Sequence, residues 1–207
     1  MTTQVAGHAG EQAVAALRGF GVDVMFTLNG GHVWPLYEAA EHQGVRIVDT
    51  RHEQTATFAA EAWAKLTRRP GLAVLTAGPG VTNGISAITT AHFNGSPLVV
   101  LGGRAPARRW GAGSLQELDH VPIVASITKL AATATDAGKA GSLVHEAAVT
   151  ALTPHRGPVF VDFPLDVFGP VEGDVPDAVE PSRPAPDLDA VDAVAGLIAT
   201  ASTPAFV

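Results

Sequence analysis

Short, almost wholly apolar runs alternate along this chain with stretches whose apolar residues recur at helical spacing, and no other feature constrains the fold as much. Val22, Val24 and Phe26 read as a strand, as do the runs 45–49, 72–76, 97–101, 127–130 and 159–162. Helical spacing marks 10–20, 32–42, 52–66, 82–92 and 136–152, with Asp136 placed to cap the last. Strands this apolar are covered on both faces. The expectation is therefore an α/β domain, a doubly wound, mostly parallel six-stranded sheet with helices on both faces. Such sheets bind ligands at the carboxyl ends of their strands, which singles out the loops after Phe26, Asp49, Thr76 and Leu101. The irregular stretch 102–122 is a further candidate, since loops this long in a compact domain are often functional.

Beyond this domain, 1–165, the pattern changes. Six prolines between Pro164 and Pro186, with many acids, read as an extended linker over 166–186. Leu188, Val191, Val194, Leu197 and Ile198 then restore helical spacing, and Pro204 to Val207 read as the start of a strand. A helix and one incipient strand cannot bury their own apolar faces, so 187–207 reads as the beginning of a truncated second domain. Charge follows the same division. The stretch 172–192 holds seven acids and one base, −6 of the net −7, and leaves a near-neutral body without an electrostatic footprint for nucleic acid. Arg104, Arg108 and Arg109 read as a solvated loop. There is no cysteine, which removes disulfide and thiolate chemistry and suits a reducing cytoplasm. No apolar run approaches the ~20 residues of a membrane span, and Met1 to Ala6 lack the pattern of a signal peptide.

Four motifs fall on the singled-out loops. Arg51-His52-Glu53-Gln54 puts Glu53 in the first turn of a helix at the carboxyl edge of the sheet, where the helix dipole alone also favours a carboxylate. It is not a zinc motif, because Ala56 stands where the second histidine belongs. The stretch from Thr76 through Gly78, Pro79, Gly80 and Asn83 to Gly84 joins a strand to a helix, as a ligand contact or simply as a tight turn. Asn83 replaces the third glycine of a dinucleotide fingerprint, and no Walker lysine follows. Asn29-Gly30-Gly31-His32 frees the backbone and aims His32 at the Glu53 edge, unless that histidine is a plain polar cap. Ser114 to His120 lie in the irregular stretch and include Gln116.

In this order and spacing, the four motifs resemble the N-terminal pyrimidine-binding domain of the thiamine diphosphate-dependent enzymes. The branch resembled contains the acetolactate synthases, benzaldehyde lyase and the 2-hydroxyacyl-CoA lyases. Residues 49–53 and 76–83 carry the likeness most strongly. Gly31-His32, Leu115-Gln116 and Ile127-Thr128-Lys129 are similar to benzaldehyde lyase, while 97–103 suits the acetolactate synthases equally. The resemblance covers nearly the whole chain and makes 187–207 the entry to the family's central domain.

The resemblance implies roles. Glu53 would hydrogen-bond N1′ of the aminopyrimidine and favour an imino form at N4′, which removes the C2 proton to leave an ylid; the cofactor carries the carbon chemistry. Thr76, Gly78, Pro79 and Asn83 would line the pyrimidine with Glu53. His32 and Gln116 would reach toward the substrate, beside Gly30 and Gly31. His32 departs from many acetolactate synthases. In the family, Mg2+ and the diphosphate are held by a second cofactor domain through a Gly-Asp-Gly motif. This chain has none, as Gly173-Asp174 is followed by Val175, so no metal ligand is assigned to it. The diphosphate domain of a neighbouring subunit would complete the site, implying a homodimer or homotetramer of a longer enzyme and an inactive half on its own. FAD is a further cofactor candidate through the central domain of the acetolactate synthase group. The implied activity is that of a transferase or lyase acting on a small 2-oxo acid or 2-hydroxyacyl substrate. Condensation of pyruvate to 2-acetolactate, as in branched-chain amino acid biosynthesis, comes first; a 2-hydroxyacyl-CoA lyase or benzaldehyde lyase-like carboligase is the alternative. A non-catalytic nucleotide-binding module and an inactive partner subunit are the alternatives from other classes.

Overall fold

The computed structural model describes residues 1–179, 181–182 and 184–205. Among the described residues there are eight strands: β1 (Thr2–His8), β2 (Val24–Thr27), β3 (Arg46–Asp49), β4 (Gly71–Leu75), β5 (Leu98–Arg104), β6 (Leu130–Thr133), β7 (Val159–Pro164) and β8 (Pro170–Pro176). The α-helices are α1 (Ala9–Gly19), α2 (Trp34–His42), α3 (Glu53–Thr67), α4 (Pro79–Asn94), the short α5 (Val121–Val124), α6 (Ala140–Leu152) and α7 (Leu188–Thr200). The main sheet has six strands in the order β3-β2-β4-β5-β7-β6, all parallel.

Successive side chains of a strand point to opposite faces, and here each face has its own core. Met25, Leu72, Val74, Val99 and Leu101 pack with α1, α2 and α6 on one side. Val24, Phe26, Ala73, Leu75 and Val100 pack with α3 and α4 on the other. Small residues bring the layers close. A Cβ on Gly71 would stand 2.0 Å from the Ala60 carbonyl oxygen, so α3 lies almost on β4. Each fully buried Leu or Phe in these cores contributes about 1.5–3 kcal/mol.

The strand order reverses twice. The chain leaves β2 for β3 at the edge, then returns across β2 to β4; later it leaves β5 for β6, then returns to β7 between them. A crevice opens where the order reverses, outside the carboxyl ends. The loops after β2, β4, β5 and β7 therefore meet around one region.

Four departures from the sequence reading have physical causes. Pro170–Pro176, expected as linker, is a strand paired antiparallel with Thr2–His8, a segment with no apolar alternation to mark it. The strand expected over 127–130 starts only at Leu130, because Ala125–Ile127 form a 3-10 turn. Helix α4 starts at Pro79 rather than Thr82, since proline's fixed φ suits the first turn. Of the strand expected at Pro204 to Val207, residues 204 and 205 are not in a strand, and Phe206 and Val207 lie outside the described residues, as do Glu180 and Arg183 of the acidic stretch. Helix α7 forms as expected but has no buried residue; Leu188 and Leu197 are 71% and 70% exposed. Among the described residues, no helix is long and apolar enough to cross a membrane.

Candidate active site

A cavity of about 750 Å³ lies at the carboxyl edge, lined by Asn29, Gly30, Gly31, His32, Glu53, Thr76 and the 106–116 loop, with Leu165. Each motif reaches it through local chemistry. The Asp49 carboxylate accepts from the Asn29 N–H at 3.1 Å, tying the ends of β2 and β3 together. The Thr50 hydroxyl shares its one proton between the Thr27 carbonyl at 3.0 Å and the His52 carbonyl at 2.9 Å. His52 Nδ1 accepts from the Gln54 N–H at 3.1 Å and so caps α3. These bonds deliver Glu53, first residue of α3, to the cavity wall.

Glu53 is 9% exposed. Its Oε2 accepts from Asn83 Nδ2, one turn into α4, at 2.9 Å. Its Oε1 takes no hydrogen bond from the described residues and sits over Gly80, where an added Cβ would stand 3.7 Å away. One oxygen is thus anchored and the other is left to the cavity.

Thr76 builds the adjoining wall. A Cβ on Gly30 would be 2.3 Å from Thr76 Cβ, and one on Gly80 would be 2.6 Å from its Cγ2, so both glycines are required by close approach. The Thr76 hydroxyl meets His32 Nδ1 at 3.2 Å. Burial pushes the His32 pKa below its ordinary 6.5, outweighing an opposing hydrogen bond with the Leu115 main chain. His32 is therefore neutral at pH 7 and able to donate through one nitrogen and accept through the other.

Gln116 also reaches the cavity, with a left-handed φ of 56°. Such backbone is uncommon for a side-chain-bearing residue and persists only when its surroundings hold it. Glu117 supplies part of the hold, accepting from the Gly111 N–H at 2.8 Å and the Ser114 N–H at 3.2 Å.

Glu53, His32, Thr76, Gly30, Gly31 and Gln116 thus come together on one wall. Gly78, Pro79 and Asn83 do not line it: the first two form the turn behind it, and Asn83 reaches the site through Glu53. The sequence reading missed Pro106, Arg109 and Leu165, which line the cavity too. The basic triplet marked Arg109 only as loop, and nothing local marks the other two. The surroundings fit the aminopyrimidine of thiamine diphosphate: a buried carboxylate with one uncommitted oxygen, beside a wall kept open by glycines.

Comparison with known proteins gives the family. The family model described as thiamine pyrophosphate enzyme, N-terminal TPP binding domain, matches residues 7–123; thiamine pyrophosphate and thiamine diphosphate are the same cofactor. The acetolactate synthase large subunit IlvG of Mycobacterium tuberculosis is 53% identical over 201 residues, covering 95% of this chain and 37% of the relative. The 2-hydroxyacyl-CoA lyase 2 of Danio rerio is 42% identical over 163 residues, 79% of this chain and 26% of the relative. That of Caenorhabditis elegans is 43% identical over 165 residues, 80% and 26%. The chain therefore spans well under half the length of these curated relatives. The family model matches more than half of the chain, so the chain belongs to the thiamine diphosphate-dependent enzymes and carries their N-terminal cofactor-binding domain.

Proposed function

We propose that this chain supplies the pyrimidine half of the active site in an enzyme that makes or breaks carbon–carbon bonds. The observation that carries the reading is the divided Glu53 carboxylate, Oε2 held by Asn83 and Oε1 free at the cavity. When bound, thiamine diphosphate supplies a carbon nucleophile at C2 of its thiazolium ring. Glu53 holds and moves a proton at Oε1 against the pyrimidine ring, and Asn83 keeps that oxygen aimed. Thr76, Gly78 and Pro79 shape the wall beside the ring. Gln116 and neutral His32, flanked by Gly30 and Gly31, hydrogen-bond the substrate oxygen, and His32 passes protons to it.

The greater identity to an acetolactate synthase supports condensation of pyruvate to 2-acetolactate as the first reading. His32 on the cavity wall supports the second, lyase or carboligase chemistry on 2-hydroxyacyl substrates. On either reading Mg2+ and the diphosphate belong to a domain of a neighbouring subunit in a homodimer or homotetramer. FAD, if used, belongs to a central domain that α7 opens, and the working compartment is the cytoplasm. Exposed Leu188 and Leu197 on α7 support a further layer of structure there.

The test uses the full-length enzyme carrying this domain. C2–H exchange of bound thiamine diphosphate in deuterated solvent is expected to slow about 100-fold or more in Glu53→Gln. Unchanged exchange removes Glu53 from this role. Product analysis with pyruvate and with a 2-hydroxyacyl-CoA then separates the two reactions.

A further inference from the structure

Behind the cavity wall lies a buried polar chain that the proposed chemistry does not use. His120 is fully buried. Its Nε2 accepts from the Gly78 N–H at 2.9 Å, and its Nδ1 faces Asp162 Oδ2 at 2.9 Å. Asp162 is also fully buried; its Oδ2 takes a second bond from Arg104 at 3.0 Å, while its Oδ1 is buried without a partner among the described residues. Arg104 in turn bonds Asp119 at 3.0 Å and lies 4.1 Å over the Trp110 ring. The chain thus joins the turn after β4, the ends of β5 and β7, and the long loop.

Its direction is set by chemistry. A backbone N–H only donates, so the ring nitrogen facing Gly78 must lack a proton. The proton of the neutral ring then sits on Nδ1 and is donated to Asp162. A histidine is held in one tautomer in this way by the group its other nitrogen bonds. What His120 holds is an unusual turn. Gly78 has φ 61° and ψ −117°, backbone that side-chain-bearing residues rarely adopt, and a Cβ there would stand 3.0 Å from both Cβ and the carbonyl oxygen of Gln116. Gly78 therefore lies between the Thr76–Gly80 wall and Gln116, and a shift of its N–H moves both.

We propose that His120 is a positioning residue of the cofactor site. Locked as the Nδ1–H tautomer by Asp162 and Arg104, it captures the Gly78 N–H and holds the turn in the shape that receives the pyrimidine. The proposal rests on the thiamine diphosphate reading and deepens it. Preorganised support of this kind is what keeps a wall within a fraction of an ångström of its working geometry.

The test uses the full-length enzyme and three variants near wild-type size. His120→Gln keeps an acceptor near the Nε2 position, His120→Asn keeps only a donor toward Asp162, and Asp162→Asn invites the wrong tautomer. His120→Asn and Asp162→Asn are expected to raise KM for thiamine diphosphate about tenfold or more, with a smaller fall in kcat. His120→Gln is expected to recover most of that loss, although all three lose thermal stability. Cofactor KM that follows melting temperature alone, with no advantage for Gln, overturns the proposal; so does an unchanged KM in all three. Glu53→Gln, run alongside, separates the failures. If it loses C2 exchange while the His120 and Asp162 variants bind cofactor normally, only the positioning role falls. If it keeps exchange, the site reading falls and this role with it.

Discussion

Helix α3 buries two carboxylates about two turns apart, Glu53 and Glu61, and each meets an asparagine of α4. By burial and partner type they look alike. They differ in what lies around them. Glu61 Oε1 accepts from Asn94 at 3.1 Å and from the buried Ser96 hydroxyl at 2.6 Å, with the tight α3–β4 contact at Gly71 close by. Glu53 has one donor from the chain and an oxygen open to a cavity. The two ends of the layer differ in the same sense. At the carboxyl edge α3 and α4 begin, and their N-termini favour negative charge. At the amino edge α3, α4 and α6 all end near a cleft of about 580 Å³ lined by Arg68, Arg69 and Arg156. Those cations answer the negative helix C-termini. Glu61 Oε2 likewise takes no side-chain hydrogen bond from the described residues, so an uncommitted oxygen does not by itself mark a site; the difference is that Glu53 presents its own to the cavity.

The sharpest way to break this contrast is to truncate both acids. Glu53→Ala is expected to abolish C2 exchange in the full-length enzyme, a loss of about 100-fold or more. Its cost in stability should stay below about 1 kcal/mol, because water in the cavity can replace its bonds. Glu61→Ala strands two donors, one of them buried, and should cost about 2–4 kcal/mol in urea unfolding, leaving exchange within about twofold. The reverse result for either residue would undo the comparison. Next come the glycines. Gly71→Ala drives a Cβ into the Ala60 carbonyl and should cost about 1–3 kcal/mol without touching the site. Gly30→Ala meets Thr76 at 2.3 Å and should weaken cofactor binding as well, read from the KM for thiamine diphosphate.

A further buried carboxylate, Glu11, supplies the smallest effect. Burial pushes its pKa up, but bonds from Gln43 and His42 outweigh this and hold it below 4.5. The same Glu11 bond holds His42 above its ordinary 6.5. The acid's stabilisation is present above pH 4.5 and lost as pH falls through its lowered folded value; the histidine's is complete below pH 6.5 and lost as pH rises through its raised one. The difference in melting temperature between wild type and Glu11→Gln should therefore peak between pH 4.5 and 6.5 and shrink on both sides. A difference that keeps growing above pH 8 would contradict this assignment.

Much of the fold was legible because its signals are local. Apolar runs and helical spacing marked five of the six main strands and the long helices between them, and placed the sixth strand, β6, three residues early. Glu53 was legible as a first-turn helix residue, and His32 and Gln116 as residues of the loops, at one sheet edge. The β1–β8 pair was not, since Thr2 finds Pro176 across most of the chain and neither strand has a strong apolar alternation. His120, Asp162 and Arg104 were equally hidden: His120 read as one polar residue of a loop, Arg104 as part of a solvated basic group, and Asp162 as the end of a strand. Their bonds span 42 and 58 residues.

By itself the sequence determined the alternation of layers, the sheet edge that carries the cavity, and some of the side chains that stand there, because periodicity and turn chemistry act between near neighbours. Only the tertiary structure decided which buried carboxylate opens on the cavity, that Arg109 and Leu165 join it, and that a histidine stands behind Gly78. Hydrogen-bond partners and cavity walls are chosen by proximity across strands and loops, which no local pattern encodes.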